Sequence, residues 1–259
     1  MPYLGDHTNG KHVFRILQML CATEETIVRD TAVESASKIA RQMSPADSVN
    51  MLSKAVKELS EANWFTPRVS ACGLLPVMFE RLNLLSDDDS KDGKAQCISI
   101  FTSFCNETMP MVRRAAAKVL SDFASKIKSN DMILNDVMPL ITKLLHDEST
   151  AVQEITVEHI PTISKLMDEE SSKKYMLPIV TSCVSSPSWR RRRAVARGKF
   201  RYLRRLCWSV NLSLSHTHTR LDTHTHTPAP PHRNAFHWSK HGKGNRNRIY
   251  STTYKNASS

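Results

Sequence analysis

Glu107-Thr108-Met109-Pro110-Met111-Val112-Arg113-Arg114-Ala115-Ala116-Ala117-Lys118-Val119-Leu120 reads as a tight turn that opens directly into a helix. Pro110 suits a first helical position, where its missing N–H would have had no partner in any case. Glu107 and Thr108 place a carboxylate and a hydroxyl near the positive end of that helix. Val112, Ala116, Val119, Leu120, Phe123 and Ile127 then recur at helical spacing and form one apolar face. Arg113 and Arg114 leave that face and run along its flank.

The chain repeats this unit. Turn-and-helix versions recur at Thr26–Val33, Phe65–Ala71, Thr150–Val157 and Ser188–Val195. Aligning Val28, Pro67, Val112, Val152 and Arg191 gives steps of 39, 45, 40 and 39 residues. The long step contains Ser86-Asp87-Asp88-Asp89-Ser90-Lys91-Asp92-Gly93-Lys94, a polar run expected to be a loop insertion. Helical units at a period of about 40–47 residues mark an α-solenoid of the HEAT or armadillo kind. The predicted fold is therefore an all-α, right-handed solenoid of about five antiparallel helix pairs.

Residues 1–10 are expected to be frayed, and the solenoid to fill residues 11–200. Its units are placed at about 11–43, 44–84, 94–128, 131–167 and 173–206. Ser44-Pro45-Ala46-Asp47 carries a cap, a first-turn proline and an acidic residue, and so opens the second unit. Pro139 and Pro178 stand 39 residues apart, each inside a first helix, where each should kink the helix and free a carbonyl.

The chemistry-bearing motifs are sparse. The six cysteines (Cys21, Cys72, Cys97, Cys105, Cys183, Cys207) lack metal-ligand spacing and read as small buried hydrophobes of a reducing compartment. The sequence has no glycine-rich phosphate loop, nucleophile elbow or paired-histidine helix motif. The expectation is no enzyme, no cofactor and no metal. No signal peptide is read near Met1, and no apolar run is long enough to span a membrane.

Charge divides the chain. Residues 1–189 hold 20 Lys+Arg against 24 Asp+Glu, a net of −4, and residues 190–259 hold 16 against 1, a net of +15. From Arg201 no period survives. Ser215-His216-Thr217-His218-Thr219 and Thr223-His224-Thr225-His226-Thr227 precede Pro228-Ala229-Pro230-Pro231. Alternating His-Thr is what a CA dinucleotide repeat encodes in one frame. Residues 201–259 are thus read as a basic low-complexity tail, disordered or the product of read-through, a frameshift or a gene-model error, with weak metal or nucleic-acid binding as the other readings.

Three stretches carry a resemblance: Ala22–Ser35, Trp64–Leu74 and Thr108–Ala117. They are similar to the HEAT repeats of the scaffold (A, 65 kDa) subunits of protein phosphatase 2A, and Ser188-Trp189-Arg190 closes the match. It covers about residues 10–200 and corresponds to roughly the third to seventh repeats of the family's longer array. In that family the turns within each repeat line one ridge. The first half's ridge engages interchangeable regulatory B subunits, and the last repeats hold the catalytic subunit. The resemblance implies a scaffold in the cytoplasm, with the nucleus as a second location. The regulatory B subunit is its implied partner, and the catalytic subunit is engaged only by a full-length protein.

Carried over position by position, the implied ridge residues are Glu24, Glu25, Trp64, Glu107, Pro110, Arg113, Arg114, Trp189 and Arg190. Exposed tryptophan at a short polar turn such as Asn63-Trp64-Phe65 is costly unless something covers it, which points the same way. Two alternatives stay open: Trp64 and Trp189 pack between neighbouring turns, or Arg113 and Arg114 pair with acidic residues of adjacent repeats. Arg191 departs from the pattern, a charge where an apolar side chain should enter the core. A basic adaptor for nucleic acid or transport cargo is the second reading of the whole chain.

Overall fold

The computed structural model describes residues 7–197, with side chains from 10 to 193. Six helices come first: α1 (His7–Leu20), α2 (Thr26–Gln42), α3 (Pro45–Ser60), α4 (Phe65–Leu82), α5 (Asp87–Cys105) and α6 (Pro110–Lys126). Next come the short α7 (Asn130–Met132), α8 (Met138–Leu145) and α9 (Thr150–Ser164). The last three are α10 (Glu169–Ser171), α11 (Leu177–Val184) and α12 (Trp189–Arg197). The described residues contain no strand. The expected tail from residue 201, and the helix end expected near 206, lie outside them.

The helices stack as pairs. The second helices of the repeats form a continuous layer, with α2 packed on α4, α4 on α6, α6 on α9 and α9 on α12. Each also packs on the first helix of its own repeat, as α1 does on α2 and α3 on α4. These residues fold as an all-α solenoid. Its core runs lengthwise through the stack. Phe101 stacks on Phe123 at 4.5 Å between ring centres, and Phe79 meets Phe123 edge-on at 5.5 Å, joining the second repeat to the third. Gly73 lets α4 approach α2 closely, since a Cβ there would lie 2.7 Å from a methyl of Val33. Five cysteines are buried and unpaired (Cys21, Cys72, Cys97, Cys105, Cys183). Burial pushes the thiols of Cys97 and Cys105 up to about 12.

Three expectations need correction. The first turn of α1 begins at His7, inside the stretch expected to fray. The polar run 86–94 is not a loop but the first two turns of α5. Ser86 caps that helix by accepting a hydrogen bond from the Asp89 N–H, and Asp87, Asp88 and Asp89 all sit in its first turn. Acidic side chains there complement the helix dipole, so the same charges that suggested a loop stabilise a helix. Ser44 caps α3 through the Asp47 N–H in the same way.

The third correction concerns the two prolines. Each sits at the second position of an α-helix, Pro139 in α8 and Pro178 in α11. Each follows a five-residue π-helical segment, Ile133–Val137 and Ser172–Met176. A proline ring collides with the carbonyl four residues earlier, and the wider π turn makes room for it. The expected kink thus takes the form of a local widening, repeated in both units.

Candidate partner-docking edge

Because the second helices lie side by side, their N-termini and the turns before them follow one another along one edge of the stack. The turns are shaped from within. The carbonyls of the turn lie outside the hydrogen-bond ladder of either helix, and one recurring position on the second helix supplies them with donors. Arg113 Nη1 donates to the carbonyls of Glu107 (2.7 Å) and Thr108 (2.9 Å). Arg29 Nη1 does the same to Thr23 and Glu24, both at 3.1 Å. Arg192 Nη1 reaches Ser186 (2.7 Å) and Pro187 (2.8 Å). In the fourth repeat Gln153 replaces arginine, and its side-chain amide donates to the Asp147 carbonyl. In all four turns the donor lies six residues beyond an acceptor.

Neighbouring turns are joined by ion pairs. Arg68 Nη1 meets Glu107 Oε2 at 2.8 Å, linking the second repeat to the third. Arg113 Nε and Nη2 meet both oxygens of Asp147 at 2.6 and 3.0 Å, linking the third to the fourth. Arg113 Nη2 also reaches Glu148 Oε1 at 2.9 Å. The hydrogen bonds that the Arg113 guanidinium donates to the Asp147 carboxylate raise its pKa. Burial alone would raise Asp147, but the hydrogen bonds from Arg113 and from the Ser149 N–H outweigh it and hold the carboxyl below its ordinary value. Glu107 behaves alike: burial pushes up, and Thr108 and Arg68 together hold it down.

Of the residues expected on the ridge, Glu24, Glu25, Pro110, Arg114, Trp189 and Arg190 are exposed along this edge. Trp64 is 59% exposed and leans on Phe65 of its own turn, 5.7 Å between ring centres. The Trp189 ring lies under two guanidinium groups, Arg190 at 5.5 Å and Arg193 at 5.7 Å. Arg113 is corrected: it is 6% exposed, and its donors are turned inward to the turn carbonyls and to the next repeat. Glu107 is half-buried, its carboxylate engaged by Arg68 and Thr108. These two build the edge from behind rather than present themselves on it.

The residue reading missed several exposed apolar side chains just before the aligned position of the unit: Ile27 at the start of α2, and Met109 and Met111 either side of Pro110. The first two residues of α6 and of α9 are exposed, and burial begins with the third, Val112 and Val152. The signal was the apolar side chain before the aligned position. Glu148, exposed beside the buried Asp147, was missed as well. The edge therefore alternates apolar groups (Ile27, Trp64, Met109, Met111, Trp189) with charges of both signs. Among the described residues no three His, Cys, Asp or Glu side chains come together in a metal-binding group. No described helix is long and apolar enough to cross a membrane.

No family model matches the chain. Individual relatives do. A Caenorhabditis elegans protein named "Probable serine/threonine-protein phosphatase PP2A regulatory subunit" is 37% identical over 178 residues, 69% of this chain and 29% of that protein. The Schizosaccharomyces pombe regulatory A-type subunit of protein phosphatase PP2A is 30% identical over 197 residues, 76% of this chain and 32% of its own. The human 65 kDa regulatory subunit of serine/threonine-protein phosphatase 2A, in its A beta isoform, is 40% identical over 112 residues, 43% of this chain and 18% of its own. Among solved structures, a designed armadillo repeat protein aligns over 74% of this chain and 85% of its own at a TM-score of 0.43 and 16% identity. The chain spans about a third of the length of the first two relatives. With this identity running through the stacked helix pairs, the chain belongs to the family of the regulatory (scaffold) A subunits of protein phosphatase 2A.

Proposed function

We propose that this chain is a non-enzymatic scaffold segment whose turn edge docks a regulatory B subunit of protein phosphatase 2A. The observation that carries the reading is the repeated exposure of large apolar side chains in the turn, within three residues before the aligned position of the unit: Ile27, Trp64, Met111 and Trp189. Scattered exposed apolar residues need no explanation, but a row along one edge, interleaved with charges, resembles a binding surface. Tryptophan and arginine are favoured anchors because they combine large contact area with directional donors. The internal arginine clamps and the ion pairs between turns hold this surface in one shape before a partner arrives, which lowers the entropy lost on binding. The catalytic subunit belongs to repeats beyond those aligned here, so this chain alone is not its carrier.

The test is calorimetric titration of the chain with a purified regulatory B subunit, at two ionic strengths. Saturable one-to-one binding that changes little with salt supports the proposal. No binding, or binding that collapses with salt as contacts to a polyanion do, contradicts it.

A further inference from the structure

Two thioethers stand in the middle of the docking edge. Met109 and Met111 flank Pro110 in the turn of the third repeat and are 38% and 49% exposed. Most other described methionines are covered. Met78 and Met176 are completely buried, Met43, Met138 and Met167 nearly so, and Met51 and Met132 are half-buried against the core. Among the described residues only Met19, on α1, is more open, at 63%. The main chain around the edge pair is held in place. Arg113 binds the carbonyls of Glu107 and Thr108, and the Met109 carbonyl accepts the Val112 N–H at 3.0 Å. Both side chains thus project from a braced turn, where chemistry at the sulfur leaves the packing behind it intact.

The reaction open to an exposed thioether is two-electron oxidation by a peroxide. The sulfur lone pair attacks one peroxide oxygen as the O–O bond breaks. The departing hydroxide takes the proton of the transferred oxygen and leaves as water, so sulfur is oxidised and the peroxide reduced. A polar, chiral sulfoxide then replaces an apolar, adaptable side chain. Covering it with a partner requires desolvating the new oxygen, which is unfavourable unless a donor meets it. The five described cysteines compete poorly. All are buried, and burial pushes the thiol of Cys21 up to about 11 and those of Cys97 and Cys105 up to about 12, suppressing the reactive thiolate.

We propose that Met109 and Met111 form an oxidation site at which a peroxide releases the regulatory B subunit and a methionine sulfoxide reductase restores its binding. As a control on docking, this site rests on the reading proposed above. The experiment treats the full chain with hydrogen peroxide, removes the oxidant, and maps the oxidised residues by mass spectrometry. A regulatory B subunit is then titrated in by calorimetry, with melting curves on the same samples. Sulfoxide should form at Met109 and Met111 before Met78 or Met176, with the melting temperature unchanged and binding weakened at least about tenfold. Reductase treatment should return the affinity. The Met109→Leu, Met111→Leu double variant, whatever its own starting affinity, should lose none of it to peroxide, whereas Met19→Leu should respond as the unaltered chain does. Oxidation that spares Met109 and Met111, a loss of binding equally large in the double variant, or a melting shift that accounts for the loss would each overturn the proposal. Affinity unmoved by oxidation at both residues removes the oxidation site alone. An untreated chain that binds no B subunit removes the docking reading, and control over docking falls with it.

Discussion

Arg113 and Asp147, 34 residues apart, form a two-point ion pair at 2.6 and 3.0 Å with both side chains almost completely removed from solvent. The same guanidinium closes the turn before its own helix, so one side chain fixes the shape of one turn and its distance to the next. Arg113→Ala leaves the buried Asp147 carboxylate with only the Ser149 N–H as a donor, and takes the arginine donor from two turn carbonyls. Breaking such a pair typically costs about 3–5 kcal/mol. Arg113→Ala should therefore lower the denaturation midpoint strongly, while Arg114→Ala, one residue on and exposed, should change it by no more than about 0.5 kcal/mol. Equal effects in chemical denaturation would contradict the division of roles.

The contrast between these adjacent arginines marks how far the sequence can be read. Repeat period and helix pairing were legible because Val112, Ala116, Leu120 and Phe123 keep a helical step. Arg113 shares that face with Ala116, Ala117 and Leu120 by the same step, so its inward direction was also available, hidden by the habit of placing charge outside. The start of α5 was legible too, as a Ser-x-x-Asp cap matching Ser44 and Asp47. The partners across repeats were not. Which acid meets Arg113 depends on how one helix pair seats on the next, and nothing local in the sequence states that.

The carboxylates at the edge predict an acid dependence. Asp147 and Glu107 sit below their ordinary values of 3.8 and 4.5. A depressed carboxyl binds fewer protons in the folded state than in the unfolded one. Its stabilisation is complete above the ordinary value and is lost as pH falls through the folded value. Unfolding midpoints followed from about pH 6 down to about pH 2 should fall steeply at the acid end, and Asp147→Asn should flatten that slope. An unchanged slope in the variant would count against the pairing.

Arg191 stands where Val112 and Val152 enter the core. It is half-buried, donates Nη2 to the Leu145 carbonyl, and leaves Nε buried without a partner. An unsatisfied buried donor costs about 1–3 kcal/mol. Arg191→Val should restore the apolar pattern and raise the melting temperature, by several degrees on the usual scaling for a chain of this size. A lower melting temperature would mean that the Leu145 contact outweighs the buried charge.

The end of α5 nearest Ser86 provides a smaller test. Ser86→Ala removes the acceptor for the Asp89 N–H and should cost about 1 kcal/mol, with hydrogen exchange accelerated in the first turn of α5. Exchange unchanged across residues 87–90 would argue against the cap.

The docking edge itself is tested most directly by calorimetry, titrating a regulatory B subunit into the chain and into its Trp64→Ala and Arg114→Ala variants, with melting curves recorded on the same samples. Both side chains are exposed, so their loss should leave the melting temperature nearly unchanged while weakening binding at least about tenfold each, equivalent to about 1.4 kcal/mol. Arg113→Ala supplies the opposite signature, a large melting shift with affinity falling only as the folded fraction falls. Unchanged affinity in the folded Trp64→Ala and Arg114→Ala variants would contradict the assignment of this edge as the partner surface.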